Sequence, residues 1–332
     1  MTRTLVVIHP GAIGDVLLAL PAIQRLRAKY PEYKMVLAAR ASIGVFLLNC
    51  GVVDDWISIE GTEITDLFAG CVSSRWFDDV LRRCDVAVVW FKDEDQAIRR
   101  VLERYGVQQI RIGSPFDAKW KARHQSDLFL ESIGYDEVCP LDDTRLELPA
   151  EIIQQGRDCL IRHGIRPGQP FVVIHPGSGS RFKCLKPEIL AETIQQLQIH
   201  GKQTVLIEGP ADQEAVEALC RLVLQPIRVI QGVDLSTVAG VLRHAQLYIG
   251  HDSGMTHLSA VLGTPTLAIF GPTDPARWAP RGSHVRVLRE IPCTCVSWEE
   301  VRRCDEKRCL AIRSPTMMET CVTLEELAGS CL

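Results

Sequence analysis

The stretch Val6-Val7-Ile8-His9-Pro10-Gly11 returns letter for letter as Val172-Val173-Ile174-His175-Pro176-Gly177, about half the chain further on. A run of β-branched residues closed by turn residues reads as a buried strand that ends in a tight loop. Chance convergence of a common strand on a common turn competes with a duplicated architecture, but the shared His-Pro-Gly tail weighs against chance. The duplication predicts two α/β halves, each opened by the same strand. In each, the loop after that strand lies where open parallel sheets bind ligands. The two loops are then expected to face each other across a cleft.

The rest of the pattern agrees. TLVVIH, KMVLAA, DVAVVWF and QQIRI read as strands separated by helical patterns near 15–29, 42–50, 72–83 and 95–105. After a loop-rich stretch from 113 to 148, with one helix near 125–134, the alternation restarts. FVVIH, QTVLIE, IRVI, QLYIG and TPTLAIF are strands, and helices are expected near 150–163, 187–199, 211–223, 235–244 and 255–262. The expected domains are 1–149 and 150–315, two parallel sheets with helices on both faces. The segment 316–332, with a helix over 322–330, is expected to return to the first domain.

Composition bounds the function. A chain of 332 residues with 46% hydrophobic content can bury two cores. Residues 1–150 hold 18 Lys and Arg against 22 Asp and Glu, and residues 151–332 hold 19 of each. Neither half is basic enough for a nucleic-acid backbone, so no nucleic-acid partner is expected. The 13 cysteines are odd in number and unnecessary as staples at this length, which predicts reduced thiols and a cytoplasmic setting. Pro10, Gly11, Gly14 and Asp15 interrupt the first apolar run too early for a signal peptide, and no run of about 18 apolar residues exists.

Three loops carry candidate chemistry. In HPGAIGDVLLALPAI, Gly11 and Gly14 permit tight or left-handed backbone, and Asp15 is either the N-cap of the next helix or a carboxylate able to take a proton. In HPGSGSRFKCLKPE, Ser178, Gly179 and Ser180 offer free backbone N–H groups, and Arg181 and Lys183 add positive charge, a combination that can hold an anion. In YIGHDSGMTHLSAVLGTPTLAIFGPTDP, Asp252, Ser253 and Gly254 end a strand, and Met255 and His257 lie at the start of the next helix. The positive end of that helix suits a diphosphate. Asp252 as a plain cap and His257 as a core histidine are the competing readings.

These three blocks resemble the ADP-heptose:lipopolysaccharide heptosyltransferase family, glycosyltransferase family 9, over roughly residues 4–290. The resemblance implies a GT-B fold, with the acceptor on the first Rossmann-like domain and the nucleotide sugar on the second. It implies inverting transfer of a heptose or related sugar, ADP-heptose favoured, to a glycan hydroxyl of a lipopolysaccharide core or similar lipid-linked acceptor at the cytoplasmic face of the inner membrane. Asp15 is then the general base, and Lys183 meets the donor phosphates beside Ser178, Gly179 and Ser180. Ser253 and Gly254 bind the diphosphate, Asp252 touches the sugar or orders the loop, and His257 supports it. The ribose falls to Asp212 or Glu214, on a looser match of GPADQE. No cofactor is implied. A relative that binds nucleotide or glycan without turnover is the alternative.

Some features lie outside that pattern. Many relatives follow the lysine with Trp-Pro, whereas this chain has Lys183-Cys184-Leu185-Lys186-Pro187. Lys119, Lys121, Arg123 and His124 form a basic knot that suits an anionic acceptor or is simply a solvated loop. Lys92-Asp93-Glu94-Asp95 imitates a metal-binding DxD triplet but reads better as an acidic helix start. Cys293, Cys295, Cys304 and Cys309 have the spacing C-x-C-x8-C-x4-C, no standard zinc framework, and reduced thiols are preferred to a metal. An NAD-dependent oxidoreductase is disfavoured by the lack of GxGxxG.

Overall fold

The computed structural model describes residues 2–116, 123–135, 144–166 and 168–329. The chain divides into two compact units, Met1–Asp143 and Thr144–Leu332.

The first unit is a five-stranded parallel sheet in the order β3-β2-β1-β4-β5. Its strands are β1 (Thr4–Ile8), β2 (Lys34–Ala39), β3 (Asp55–Ser58), β4 (Cys84–Val89) and β5 (Gln109–Ile112). Its helices are α1 (Ile13–Leu18), α2 (Leu20–Lys29), α3 (Ala41–Asn49), α4 (Thr62–Phe68), α5 (Arg75–Leu81), α6 (Ala97–Arg104) and α7 (Gln125–Ser132). The helix expected over 15–29 is two helices that part at Ala19, where Pro21 starts the second in a position that lacks no hydrogen bond.

The second unit is a six-stranded parallel sheet in the order β11-β10-β9-β6-β7-β8. Its strands are β6 (Phe171–His175), β7 (Gln203–Glu208), β8 (Arg228–Gln231), β9 (Leu247–His251), β10 (Thr266–Ile269) and β11 (Val285–Leu288). Around them lie α8 (Ala150–Arg162), α9 (Pro187–Ile199), α10 (Gln213–Leu222), α11 (Leu235–His244), α12 (Gly254–Val261), α13 (Pro275–Trp278), α14 (Trp298–Arg303) and α15 (Ser314–Gly329). Pro149 is the N-cap of α8. The last helix buries Met317, Cys321 and Leu324 in the core of the second unit. It packs on α9, β9, β10 and β11.

The duplicated hexapeptide has the same place in both sheets. Strands β1 and β6 are buried along their whole length, as apolar runs covered on both faces must be. Each is central, flanked by the next strand in sequence on one side and by a later strand on the other, β4 for β1 and β9 for β6. The strand order reverses there, and the crevice at the carboxyl ends of such strands is where doubly wound sheets take ligands. In the second unit Gly156 and Gly240 let α8 and α11 touch backbone to backbone: a Cβ on Gly156 would lie 2.1 Å from the Gly240 carbonyl carbon.

Candidate functional site

At the switch point of the second unit the loop after β6 folds over the end of β9. The Ser178 hydroxyl donates to the Asp252 carbonyl at 2.7 Å, and Lys183 Nζ reaches the Asp252 carboxylate, also at 2.7 Å. Thr273 donates to the same carboxylate oxygen at 2.7 Å. Lys183 also lies over the Trp298 ring, 5.7 Å from its centroid. The aromatic neighbour of Lys183 comes from α14. Ser180 caps the short turn Arg181–Lys183, and a Cβ on Gly179 would meet nothing within 4 Å, so the loop is open there.

Asp252 is not the cap of α12. That position belongs to Ser253, whose hydroxyl makes no capping bond. The N–H groups of Gly254, Met255 and Thr256 therefore have no partner within the helix, and the positive end of its dipole is open to an anion. The Ser253 hydroxyl lies 3.4 Å from His175 Nδ1 and 3.3 Å from the Thr256 hydroxyl. Thr256 donates to the His251 carbonyl and is met by the Tyr248 hydroxyl at 3.1 Å.

Behind Ser253, His175 Nε2 contacts the Asp212 carboxylate at 2.9 Å, and the Gly209 N–H donates to it at 2.9 Å. Burial works to raise the Asp212 pKa, but the His175 bond, the nearby imidazole charge and the Gly209 N–H outweigh it and hold the group below the ordinary carboxylate range. Asp212 fits only because its neighbours lack side chains: a Cβ on Gly177 would lie 1.7 Å from Asp212 Oδ1. Asp212 thus faces inward. Even so, Asp212 and Glu214 both line a cavity of about 630 Å³, beside Gly177, Ser178, Arg181 and Lys307. Lys183 and Ser253 are outside that lining, so the cavity adjoins their cluster without containing it. His257 is buried, and desolvation lowers its pKa to about 4, despite the opposing pull of Asp252.

The first unit uses the same hexapeptide differently. His9 is fully buried among Trp90 and Phe129, with ring centroids 5.5 and 5.2 Å away. Burial pushes its pKa down to about 3, and its Nδ1 accepts the Gly11 N–H at 3.0 Å. Asp15 is not an N-cap but sits at the third position of α1, following Gly14, and its carboxylate accepts the Ala12 N–H at 3.0 Å. Gly11 is required by space, since a Cβ there would lie 2.6 Å from both His9 Cε1 and Asp15 Cβ. Neither Gly11 nor Gly14 has a positive φ, so of the two expected reasons it is the tight approach that requires Gly11. A cavity of about 590 Å³ opens by the ends of β4 and β5, lined by Lys92, Arg99, Gly113, Glu131 and Ser132 among others.

The peripheral candidates divide. Arg123 is paired with Glu131, so its charge is neutralised, and His124 caps α7 by accepting the Ser126 N–H at 3.2 Å. Lys119 and Lys121 lie outside the described residues. Asp93 accepts the N–H groups of Ile98 and Arg99 at 3.2 and 2.9 Å and so ties down the start of α6. Cys293, Cys295, Cys304 and Cys309 gather, with Cys295 pushed up to about 12 and Cys309 to about 11 by burial and by the neighbouring thiols. No group of three or more His, Cys, Asp or Glu side chains is placed to hold a metal ion among the described residues. Nor is any helix among them long and apolar enough to cross a membrane. Sequence reasoning missed His175, Thr273 and Trp298. The first two stand in the quoted blocks, where their roles depend on strand neighbours; nothing local marks the third.

Residues 123–307 match the profile of glycosyltransferase family 9 (heptosyltransferase). Lipopolysaccharide heptosyltransferase 3 of Escherichia coli is 26% identical over 294 residues, 80% of this chain and 83% of that one. A family 9 glycosyltransferase from Veillonella parvula superposes with a TM-score of 0.77 at 20% identity, covering 97% of each chain. ADP-heptose lipopolysaccharide heptosyltransferase II of E. coli superposes with a TM-score of 0.76 at 19% identity, covering 98% of this chain and 100% of that one. At these identities the structural likeness shows the fold, GT-B.

Proposed function

The chain belongs to glycosyltransferase family 9, and from that premise we propose that it moves a heptose from ADP-heptose to a sugar hydroxyl of a lipopolysaccharide core, with inversion. The observation that carries the donor assignment is the convergence of Ser178 and Lys183 on Asp252 beside the uncapped start of α12. The uncapped N–H groups and the positive dipole end of α12 provide donors and positive potential for a diphosphate whose negative charge grows as the glycosidic bond breaks, with Lys183, held by Asp252, beside them. The neighbouring cavity, with Glu214 on its wall and apolar residues such as Phe182 and Leu219, has the size and lining of a nucleoside pocket.

In the step itself the acceptor oxygen attacks the anomeric carbon and the bond from that carbon to the β-phosphate oxygen breaks. ADP leaves with the electron pair, and the acceptor proton passes to the Asp15 carboxylate. The role of Asp15 rests on its place at the switch point of the first sheet, and the acceptor on the cavity by β4 and β5. Its acceptor, a lipid-linked glycan, places the enzyme's work at the cytoplasmic face of the inner membrane.

The test is incubation with ADP-heptose and a heptose-deficient core glycolipid, read by mass spectrometry. One added heptose and its loss in Asp15→Ala are expected. ADP binding without turnover would mark a degenerate binder, and full activity of Asp15→Ala would remove the base.

A further inference from the structure

The turn Arg181–Lys183 meets a residue from far along the chain, beyond the three loops that carry the sequence motifs. Lys307 Nζ lies 5.6 Å from the centroid of the Phe182 ring, and the Arg181 guanidinium lies 5.1 Å from the same centroid. An aromatic face attracts a cation, which accounts for either contact by itself. It does not account for two like charges gathered at one ring. Neither Arg181 nor Lys307 forms an ion pair with a described residue. Of the four carboxylates on the cavity wall beside them, Asp212 contacts His175 at 2.9 Å and Glu306 pairs with Arg308 at 2.7 Å. The repulsion between the two cations is therefore left for a bound anion to relieve.

Lys307 is held there at a cost. Its backbone is left-handed, with φ 42° and ψ 41°, a conformation that glycine would adopt without steric penalty. The residues that follow fix it: Cys309 and Leu310 are buried in the core of the second unit. A strained backbone that presents an unpaired cation to a cavity is more than packing needs. Arg181 and Lys307 both line the cavity read above as the nucleoside pocket, and Lys183 does not. The two groups of cations nevertheless adjoin, since the Cys184 thiol feels the charge of both Lys307 and Lys183. In a nucleoside diphosphate the α-phosphate has the same intermediate place, bonded to the nucleoside on one side and to the β-phosphate on the other.

We propose that Arg181 and Lys307 form a subsite for the α-phosphate of the donor, leaving the β-phosphate, where charge grows in the reaction, to Lys183 and the start of α12. The inference rests on the donor reading above and deepens it, since it divides the diphosphate between two sets of cations and gives one of them a lysine that no motif marks. Lys307 is then a binding residue for substrate, and its charge is what matters.

The experiment is calorimetric titration of the full-length protein with ADP and with AMP at low and at moderate salt, on wild type, Lys307→Gln, Lys307→Arg and Lys183→Ala. Lys307→Gly, whose backbone suits the left-handed position, serves as a second uncharged variant should the glutamine disturb the fold. Loss of the Lys307 charge should weaken ADP and AMP alike, by about tenfold, and should flatten the dependence of affinity on salt. Lys307→Arg should restore both, which a packing role on Phe182 alone would not predict for the salt dependence. Lys183→Ala should weaken ADP far more than AMP. ADP affinity unchanged in a correctly folded uncharged variant, a loss confined to ADP, or wild type that binds ADP and not AMP would each overturn the inference. ADP binding that is lost in Lys183→Ala but indifferent to Lys307 would leave the donor site standing without this subsite. Absence of ADP binding by wild type overturns both.

Discussion

Replacing Gly177 by alanine should damage the second unit far more than replacing Gly179, two residues along the same loop. A Cβ on Gly177 would lie 1.7 Å from Asp212 Oδ1 and 2.3 Å from its Cγ. Real Cβ contacts essentially never fall under 3.0 Å, so the carboxylate must retreat by more than 1 Å. A shift of that size breaks the 2.9 Å contact with His175. Overpacking a buried site costs about 1–3 kcal/mol, and losing a hydrogen bond to a charged group about 1.5–3 kcal/mol. The two overlap, so a loss of roughly 2–5 kcal/mol is expected. Urea denaturation of wild type, Gly177→Ala and Gly179→Ala measures it, with the Gly179 variant within about 0.5 kcal/mol of wild type. In an Asp212→Ala background the clash is gone and Gly177→Ala should cost little. A Gly177→Ala variant as stable as wild type, or an unchanged cost when Asp212 is removed, would refute the reasoning.

Asp15→Asn should lower kcat by about 10²–10⁴-fold with ADP affinity unchanged, as loss of a general base requires; a parallel loss of ADP binding would contradict it. Gly240→Ala, whose Cβ would lie 2.2 Å from the Ile152 carbonyl oxygen, should force α8 from α11 and cost about 1–3 kcal/mol in a chemical melt, and a neutral result would mean that the helices part freely. His251 and His257 are held at about 4 by burial, so between about pH 6.5 and 4 the unfolded chain binds protons that the folded one does not. Stability should then fall as pH drops through that window, by about 1.4 kcal/mol per pH unit for each histidine. A urea midpoint that does not move between pH 6.5 and 5 would contradict it.

How far the sequence carries can be judged from particular elements. The long apolar runs were legible because a strand buried on both faces has no polar position to hide it. The strands Asp55–Ser58 and Val285–Leu288 were not. They are short and edge their sheets, and Asp55 and Trp56 in one and Arg286 and Val287 in the other are only partly covered. The anion loops were visible as Gly, Ser and Lys in sequence, but their internal wiring was not. Lys183 and Asp252 are 69 positions apart, and His175 and Asp212 are 37 apart. Only the neighbourhood of β6, β7 and β9 in the sheet joins them. The same limit applies to Asp212, read as a ribose ligand from GPADQE: it lines the cavity beside Glu214, but its tie to His175 could not be seen in the sequence. It also applies to Gly11, where only the fold shows that contact distance and not φ is what demands glycine.

The central claim is that the loop after β6 and the start of α12 hold the diphosphate of an ADP-activated sugar. Calorimetric titration with ADP, GDP, UDP and NAD, repeated on Lys183→Ala, tests it most directly. The account predicts that ADP binds in preference to the others and that the Lys183 variant binds it at least tenfold more weakly, since removing the lysine leaves the Asp252 carboxylate facing the phosphates. Equal affinity for all four nucleotides, or an ADP affinity indifferent to Lys183, would contradict it.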